Sequence, residues 1–223
     1  MSYHSVALLI FIELNSIKST LVGSTNFQLG GISLQIEGKD GIGGLIEEWF
    51  GYWAIQNNFN ILNPKKEGSS QEFPDYYIWS KGEEDKKSLL EVKTYDSDAS
   101  ANFDIANFQS YCASVAENPD RLDADYLIFA YQVQNGCLSI KNIYLKKIWE
   151  ITCASARWPL KTQTKRDVIY NIRPSAFHSS KGRYSSFSSK EEFIDALFST
   201  EEEYLNEEYP SFNRQRYMDN TRD

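Results

Sequence analysis

The sequence predicts an α/β domain built around a mixed β-sheet that is flanked by helices. Helical apolar spacing near the start is followed by a second helical segment, a hairpin pattern, a third helix and then a continuous apolar strand that turns into another strand. The chain has 223 residues, of which 41% are hydrophobic and 24% charged, so it is long enough for one sizeable core. We therefore predict a single domain over residues 1–223.

Four segments have the apolar period of a helix. Residues 6–17 and 42–56 are the first two, and Asp40 stands just before the second. A third begins with Asn102 or Asp104 as its cap and ends at Asn118 and Pro119. Residues 190–198 regain the helical period. These helices are expected to cover the sheet.

The strands are predicted from alternating or continuous apolar residues. Ile32, Leu34 and Ile36 alternate as in a short strand. Residues 76–79 and 89–92 flank a charged loop and predict an antiparallel hairpin. Residues 125–133 form the continuous apolar run of a strand buried on both faces, and Asn135 with Gly136 predicts a tight turn into residues 137–145. Residues 64–72 are polar and loop-like.

The charge is unevenly distributed along a chain whose formal net charge is −8. Residues 137–190 hold eleven Lys and Arg against two acidic residues, whereas the chain on both sides is acidic. This basic segment predicts a nucleic-acid contact, although a basic run is more often only a solvated face. The acidic tail, residues 201–223, is expected to be a solvated helix or disordered.

Three cysteines at wide spacing, with no CxxC pair, predict buried free thiols and argue against disulfides or a zinc site. The apolar run near the start is too short to cross a bilayer and lacks the features of a signal peptide. A cytoplasmic protein without membrane contact is expected.

Acidic and basic residues lie in the predicted hairpin FPDYYIWSKGEEDKKSLLEVKTYD, where a purely structural strand would be apolar. Glu91 and Lys93 are two residues apart, so their side chains share one face of the strand, and Asp75 is expected opposite them. Two close carboxylates repel unless a cation joins them, and oxygen ligands suit Mg²⁺, for which Mn²⁺ substitutes. A lysine beside that metal suits phosphodiester hydrolysis. The alternative is an exposed hairpin with a surface charge pair.

Pro74 and Asp75, followed by Glu91, Val92 and Lys93, resemble the PD-(D/E)XK nuclease motif. The resemblance implies a restriction-endonuclease-like core, a metal held by Asp75, Glu91 and the Val92 carbonyl, Lys93 beside the attacking water, and products with a 5′-phosphate. In that fold the preceding helix often supplies another glutamate. Glu48 is preferred here from its spacing after Gly44, but the helical wheel does not separate it from Glu47.

The segments NFDIANFQSYC and LDADYLIFAYQV resemble the NgoBV group of restriction enzymes. This resemblance implies a Mg²⁺-dependent type II restriction endonuclease acting on double-stranded DNA at a short palindrome, with GGNNCC as a guess at the site. The two-fold symmetry of such a site predicts a homodimer. A cognate DNA methyltransferase is the implied cellular partner.

Base reading in the major groove typically uses Arg, Asn and Gln, and phosphates are bound by Lys and Arg. The candidate DNA-contacting residues are Asn102, Asn107, Gln109, Lys161, Gln163, Lys165, Arg166, Asn171, Arg173, Lys181 and Arg183.

Three other functions remain open. They are a non-specific or structure-specific nuclease of the same fold, a catalytically silent DNA-binding module, and a protein-interaction domain.

Overall fold

The structure is a computed structural model that describes residues 2–35, 41–64, 73–206 and 210–222. The chain forms two compact units. Unit 1 comprises residues 1–100 and 125–146, and unit 2 comprises residues 101–124 and 147–223. The expectation of a single domain stays a prediction.

A six-stranded mixed sheet organises unit 1. Its strands, in chain order, are β1 (Val22–Ser24), β4 (Ile61–Leu62), β5 (Tyr76–Ile78), β6 (Ser88–Asp96), β8 (Asp125–Gln134) and β9 (Cys137–Lys146). In space they run β1-β9-β8-β6-β5-β4. Strands β6 and β8 are parallel and the other neighbours are antiparallel, which confirms the predicted mixed sheet. A separate two-stranded hairpin is formed by β2 (Asn26–Leu29) and β3 (Ile32–Gln35).

Helices α1 (Ser5–Ile17) and α2 (Ile42–Gln56) pack on one face of this sheet. The predicted second helix has the same bounds as α2. The helices contribute Ile10, Leu14, Ile46 and Phe50 to a core that also contains the strand residues Ile78, Leu90, Val92, Leu127 and Phe129. Val92 thus points into the core from β6, which leaves the side chains on either side of it for the opposite face.

The turn between β8 and β9 follows the sequence prediction. Asn135 and Gly136 both have positive φ, 51° and 66°, as a two-residue hairpin turn requires. The first seven residues of β8 are buried, in agreement with the continuous apolar run. No described helix is long and apolar enough to cross a membrane.

The described part of unit 2 combines a three-stranded sheet with four α-helices and a short 3-10 helix at Pro119–Asp123. Its strands are β7 (Ala106–Asn107), β10 (Thr162–Lys165) and β11 (Val168–Ile172), in the order β10-β11-β7. Its helices are α3 (Phe108–Glu117), α4 (Ile148–Ile151), α5 (Lys190–Leu205) and α6 (Phe212–Asn220). Helix α3 packs against β11, α5 and α6 through buried residues that include Phe108 and Cys112.

The third helix begins later than its periodicity predicts. Asn107, and not Asn102 or Asp104, is its N-cap, and the Asn107 side chain accepts a hydrogen bond from the Ser110 amide at 3.1 Å. The residues before it are extended because the Ile105 amide donates to the Ile172 carbonyl at 3.0 Å and β7 then pairs with β11. Tertiary pairing outweighs helical periodicity here.

The acidic tail is more ordered than expected. Glu201 is buried, and its carboxylate accepts hydrogen bonds from Ser211 Oγ and Asn213 Nδ2, each at 2.6 Å. Arg214 binds Glu202 at 2.7 Å. The acidic run is therefore part of a hydrogen-bonded joint between α5 and α6 and not a simple solvated tail.

Some positions named in the sequence analysis lie outside the described residues. They are Ile36, Asp40, most of the polar loop at 64–72, and residues 207–209 of the acidic tail.

The three cysteines are free thiols, as predicted, but they do not share one environment. Cys112 and Cys153 are buried, and burial raises the pKa of both thiols. Cys137 is exposed at the first position of β9, so the prediction of burial is wrong for this residue.

Candidate active site

The hairpin of β5 and β6 positions the candidate catalytic residues at its open end. Tyr76 pairs with Leu90 in antiparallel register, so the next position outward sets Asp75 opposite Glu91. Both carboxylates are buried, with 6% of each residue exposed. The register predicted from sequence thus brings the two acidic residues together.

Backbone amides of each strand hold the carboxylate of the other strand. The Asp75 amide donates to Glu91 Oε2 at 3.2 Å, and the Val92 amide donates to Asp75 Oδ2 at 2.9 Å. These reciprocal hydrogen bonds fix both side chains against the hairpin. Carboxylates held in this way are oriented before any ligand binds, which lowers the cost of organising a site.

Lys93 lies on the same face of β6 as Glu91, two residues further along. Its Nζ donates to Glu91 Oε1 at 2.7 Å, and only 18% of the lysine side chain is exposed. An exposed surface charge pair does not describe this geometry, because both partners are largely removed from water.

The site has more negative charge than its single ammonium group balances. Burial raises the pKa of the Glu91 carboxyl; Lys93 opposes this shift and the Asp75 charge adds to it. Burial lowers the pKa of Lys93, but the charges of Glu91 and Asp75, with a smaller contribution from Glu47, outweigh it and raise this pKa. The raised pKa values mean that Glu91 and Lys93 both favour their protonated forms. A bound cation would offset the same excess of negative charge.

Helix α2 carries both Glu47 and Glu48, and Glu47 is the one whose charge acts on Lys93. Tyr76 Oη donates to the Glu47 carbonyl at 2.8 Å, which ties α2 to β5. The approach of Tyr76 to α2 also requires glycine at position 51, because a Cβ there would lie only 2.6 Å from Tyr76 Oη. Glu47 is half-buried and its charge acts on Lys93, whereas Glu48 is exposed to solvent and does not figure among the charges that shift the Lys93 pKa. Which of the two glutamates serves the site stays a prediction, and the charge that acts on Lys93 favours Glu47.

The residues present fit a hard cation of the Mg²⁺ type. Among the described residues no group of three or more His, Cys, Asp and Glu side chains could hold a metal ion. Mg²⁺, however, keeps several waters and is commonly bound through one or two carboxylates. The Val92 amide binds Asp75, so the Val92 carbonyl lies in the same part of the hairpin, and Pro74 has no N–H with which to pair with it. Asp75, Glu91 and this carbonyl are a suitable donor set.

Several candidate DNA-contacting residues are brought together on unit 2. Gln163 pairs with Asn171 across β10 and β11, and Asn171 pairs with Asn107 across β11 and β7. Lys165 and Arg166 lie at the turn that joins β10 to β11 and are exposed. These five residues occupy one small sheet and its turn.

The other candidate DNA-contacting residues lie outside this sheet group. Lys161 Nζ donates to the Pro174 carbonyl at 2.7 Å, and Arg173 forms an ion pair with Asp104, so both cations have partners within unit 2. The remaining candidates are exposed but do not join the sheet group; they are Asn102, Gln109, Lys181 and Arg183.

Comparison with known proteins decides the family. The model of the NgoBV restriction endonuclease family matches residues 8–219, nearly the whole chain. The chain belongs to the NgoBV restriction endonuclease family. The resemblance seen in the two sequence segments is thereby confirmed.

Two relatives of this chain are named as type II restriction enzymes. The type II restriction enzyme NlaIV of Neisseria lactamica is 35% identical over 182 residues, which cover 80% of this chain and 72% of the relative. The type II restriction enzyme NgoBV of Neisseria gonorrhoeae is 30% identical over 146 residues, covering 65% and 79%. A solved structure of the NlaIV restriction endonuclease superposes with a TM-score of 0.82 at 30% identity, covering 98% of this chain and 90% of that one. The predicted restriction-endonuclease-like fold is confirmed.

Proposed function

We propose that this chain is a Mg²⁺-dependent type II restriction endonuclease that hydrolyses double-stranded DNA at a short palindromic site. The reciprocal hydrogen bonds that hold Asp75 and Glu91 side by side next to Lys93 carry this proposal. Membership of a family whose named relatives are type II restriction enzymes supports it. In the cell, such an activity calls for a cognate DNA methyltransferase that protects the host sites.

Asp75, Glu91 and the Val92 carbonyl would hold the Mg²⁺ ion, with Mn²⁺ as a substitute. When bound, the ion supplies a Lewis acid that polarises the scissile phosphate and lowers the pKa of a coordinated water. The backbone amides that hold the two carboxylates keep these ligands in place. The local excess of negative charge favours a divalent cation over an empty site.

Lys93 would act on the attacking water or on the phosphate. Its ammonium lies in the Glu91 contact at 2.7 Å, so a small movement of a flexible side chain brings it to a neighbouring oxygen. There it orients the water or neutralises charge that develops on the phosphate in the transition state. Glu47 adds a carboxylate whose charge contributes, after those of Glu91 and Asp75, to raising the pKa of Lys93. The products would carry 5′-phosphate and 3′-hydroxyl ends.

Digestion of unmethylated phage DNA tests this proposal. The purified chain is incubated with the DNA in Mg²⁺, in Mn²⁺ and in EDTA, and the fragment ends are sequenced. Discrete fragments that require the metal and carry 5′-phosphates are expected. A smear would indicate the non-specific nuclease, and retention of DNA without cleavage in either metal would indicate the silent binding module.

A homodimer is proposed as the active assembly, and the hairpin of β2 and β3 is its best-supported contact surface. Phe27 pairs with Leu34 and Leu29 with Ile32, so all four apolar side chains share one face, 47–70% exposed. The hairpin is fixed to the β8–β9 turn, because the Thr25 amide donates to the Gly136 carbonyl at 2.9 Å. It also borders a cavity of about 550 Å³ that α2 lines with Leu45, Ile46 and Trp49.

Charge favours a second copy of the chain as the partner of this surface. No charged residue occurs between Lys18 and Glu37, although 24% of the whole chain is charged. Two copies that each carry a net charge of −8 repel one another, and an uncharged apolar surface is where they can meet at least cost. A two-fold contact there would match a palindromic DNA site.

Ile32→Glu is expected to convert the dimer into a monomer, because it places one carboxylate per copy in the apolar contact. Light scattering after size-exclusion chromatography measures the mass at several protein concentrations. Gln28→Glu introduces the same charge on the opposite face of the hairpin and should leave the dimer intact. A dimer that persists in the Ile32 variant, or a wild-type monomer at micromolar concentration, would exclude this surface.

A further inference from the structure

The strands β10 and β11 form a narrow antiparallel ribbon with a tight turn at its end. Arg166 and Asp167 occupy the turn with positive φ of 51° and 61°, which is the geometry of a two-residue hairpin connection. The pairing shifts by one residue between Gln163 and Thr164, so Tyr170 is the extra residue of β11. Bulges of this kind increase the twist of a ribbon and redirect its side chains.

The two faces of this ribbon differ in chemistry. Ile169 and Ile172 are buried beneath it, whereas Gln163, Lys165 and Tyr170 are exposed. An exposed face with an aromatic side chain, an amide and a cation is polar enough to remain in water and varied enough to bind a structured polar ligand.

Three carboxamides form a row across the exposed face, one on each strand of the three-stranded sheet. Gln163 lies opposite Asn171, which lies opposite Asn107. Neighbouring strands are separated by about 4.8 Å, so the row spans roughly 10 Å. Asn171 Nδ2 donates to Gln163 Oε1 at 3.4 Å, and Asn107 Oδ1 accepts from the Ser110 amide at 3.1 Å. The Asn171 and Gln163 amides are therefore oriented by each other, and the Asn107 amide is oriented by the first turn of α3.

Each of the three carboxamides has a side-chain atom that is available for a hydrogen bond to a ligand. Within the described residues, Gln163 Nε2 and Asn107 Nδ2 have no acceptor and Asn171 Oδ1 has no donor. Along the row, Gln163 thus presents a donor, Asn171 an acceptor and Asn107 a donor to a ligand. Phosphates present only acceptors to a protein, whereas base edges in the major groove present both donors and acceptors. The alternation of donors and acceptors along the row therefore fits base edges better than the phosphates of the DNA backbone.

Cations stand beside the row, where phosphates would lie. Lys165 and Arg166 are exposed at the turn and have no carboxylate partner among the described residues. Arg157 pairs with the neighbouring Asp167 at 3.2 Å and so offsets the one carboxylate of the turn. A two-stranded ribbon fits the major groove of B-DNA, which is about 12 Å wide.

We propose that the β10–β11 ribbon enters the major groove and that Gln163, Asn171 and Asn107 read base edges, while Lys165 and Arg166 bind the flanking phosphates. This inference rests on the proposed nuclease function and deepens it by assigning sequence discrimination to one sheet of unit 2. It does not depend on the residues of the candidate active site.

Single substitutions of the amides test the inference with the full-length protein. For Gln163→Ala and Asn171→Ala, the ratio of cleavage rates on the cognate site and on sites with one altered base pair should fall about tenfold or more. Lys165→Ala should weaken binding to all sequences alike, reduce the salt dependence by about one phosphate contact and leave that ratio unchanged. Gln215→Ala, an exposed amide on α6, serves as the matched control and should behave as wild type.

Purine analogues identify the groove. Each purine of the cognate site is replaced in turn by its 7-deaza form, which removes the N7 acceptor from the major groove only. At least one replacement should slow the wild-type chain about tenfold and have less than a twofold effect on Gln163→Ala or Asn107→Ala. Amide variants with wild-type discrimination, or deaza effects that are equal in every variant, would overturn the inference. A wild-type chain that cleaves no DNA would instead refute the proposed nuclease function.

Discussion

Lys93→Met is expected to reduce DNA cleavage by about 10²- to 10⁴-fold while leaving DNA binding in place. The substitution keeps the length and apolar stem of the side chain and removes the ammonium that contacts Glu91 at 2.7 Å. Without it, no other cation among the described residues acts on that carboxylate to orient a water or to neutralise charge on the phosphate. Cleavage rates at saturating Mg²⁺ measure the loss, and DNA binding is measured in Ca²⁺.

Lys86→Met is the matched control for this experiment. Lys86 lies in the loop of the same hairpin, its side chain is 79% exposed, and it contacts Glu83 at 3.3 Å on the surface. Its replacement should change the cleavage rate by less than twofold. If Lys93→Met cleaved within a few-fold of wild type while folding normally by circular dichroism, the assignment of Lys93 to the chemistry would be wrong.

Glu47→Gln and Glu48→Gln form the second decisive comparison. The two residues are adjacent on α2, and both substitutions remove one charge without changing side-chain size. Glu47→Gln should reduce cleavage roughly 10- to 100-fold, because Glu47 is the helix carboxylate whose charge acts on Lys93. Glu48 is exposed, so Glu48→Gln should remain within twofold of wild type.

The pH dependence of the two variants adds a second readout. Removal of the Glu47 charge lowers the pKa of Lys93, since that charge contributes to raising it. In Glu47→Gln the activity that depends on protonated Lys93 should therefore be lost at a lower pH than in wild type. A larger effect of Glu48→Gln than of Glu47→Gln would restore the choice made from sequence spacing.

Local signals in the sequence predicted the parts of the fold that local interactions determine. The bounds of α2 follow from its apolar period, the β8–β9 turn from Asn135 and Gly136, and the active-site hairpin from its charged loop. Asp75, Glu91 and Lys93 converge because strand geometry alone sets which side chains are opposite or on the same face.

The rest depends on tertiary contacts that the local sequence does not encode. Glu47 and Glu48 lie at the two margins of one helical face, and tertiary contacts such as that of Tyr76 with the Glu47 carbonyl determine how α2 is rotated on the sheet. The start of α3 depends on pairing between segments more than sixty residues apart. The burial of Glu201 depends on Ser211 and Asn213, which a charge pattern does not reveal.

The most direct test is calorimetric titration of Mn²⁺ into the wild-type chain and into Asp75→Asn, each bound to a DNA duplex whose scissile phosphates are replaced by a non-cleavable analogue. The wild-type chain should bind the metal at the candidate site, and Asp75→Asn should weaken that binding at least tenfold, because it removes one of the two carboxylates. Equal binding of Mn²⁺ by both proteins would contradict the assignment of the metal to Asp75, Glu91 and the Val92 carbonyl.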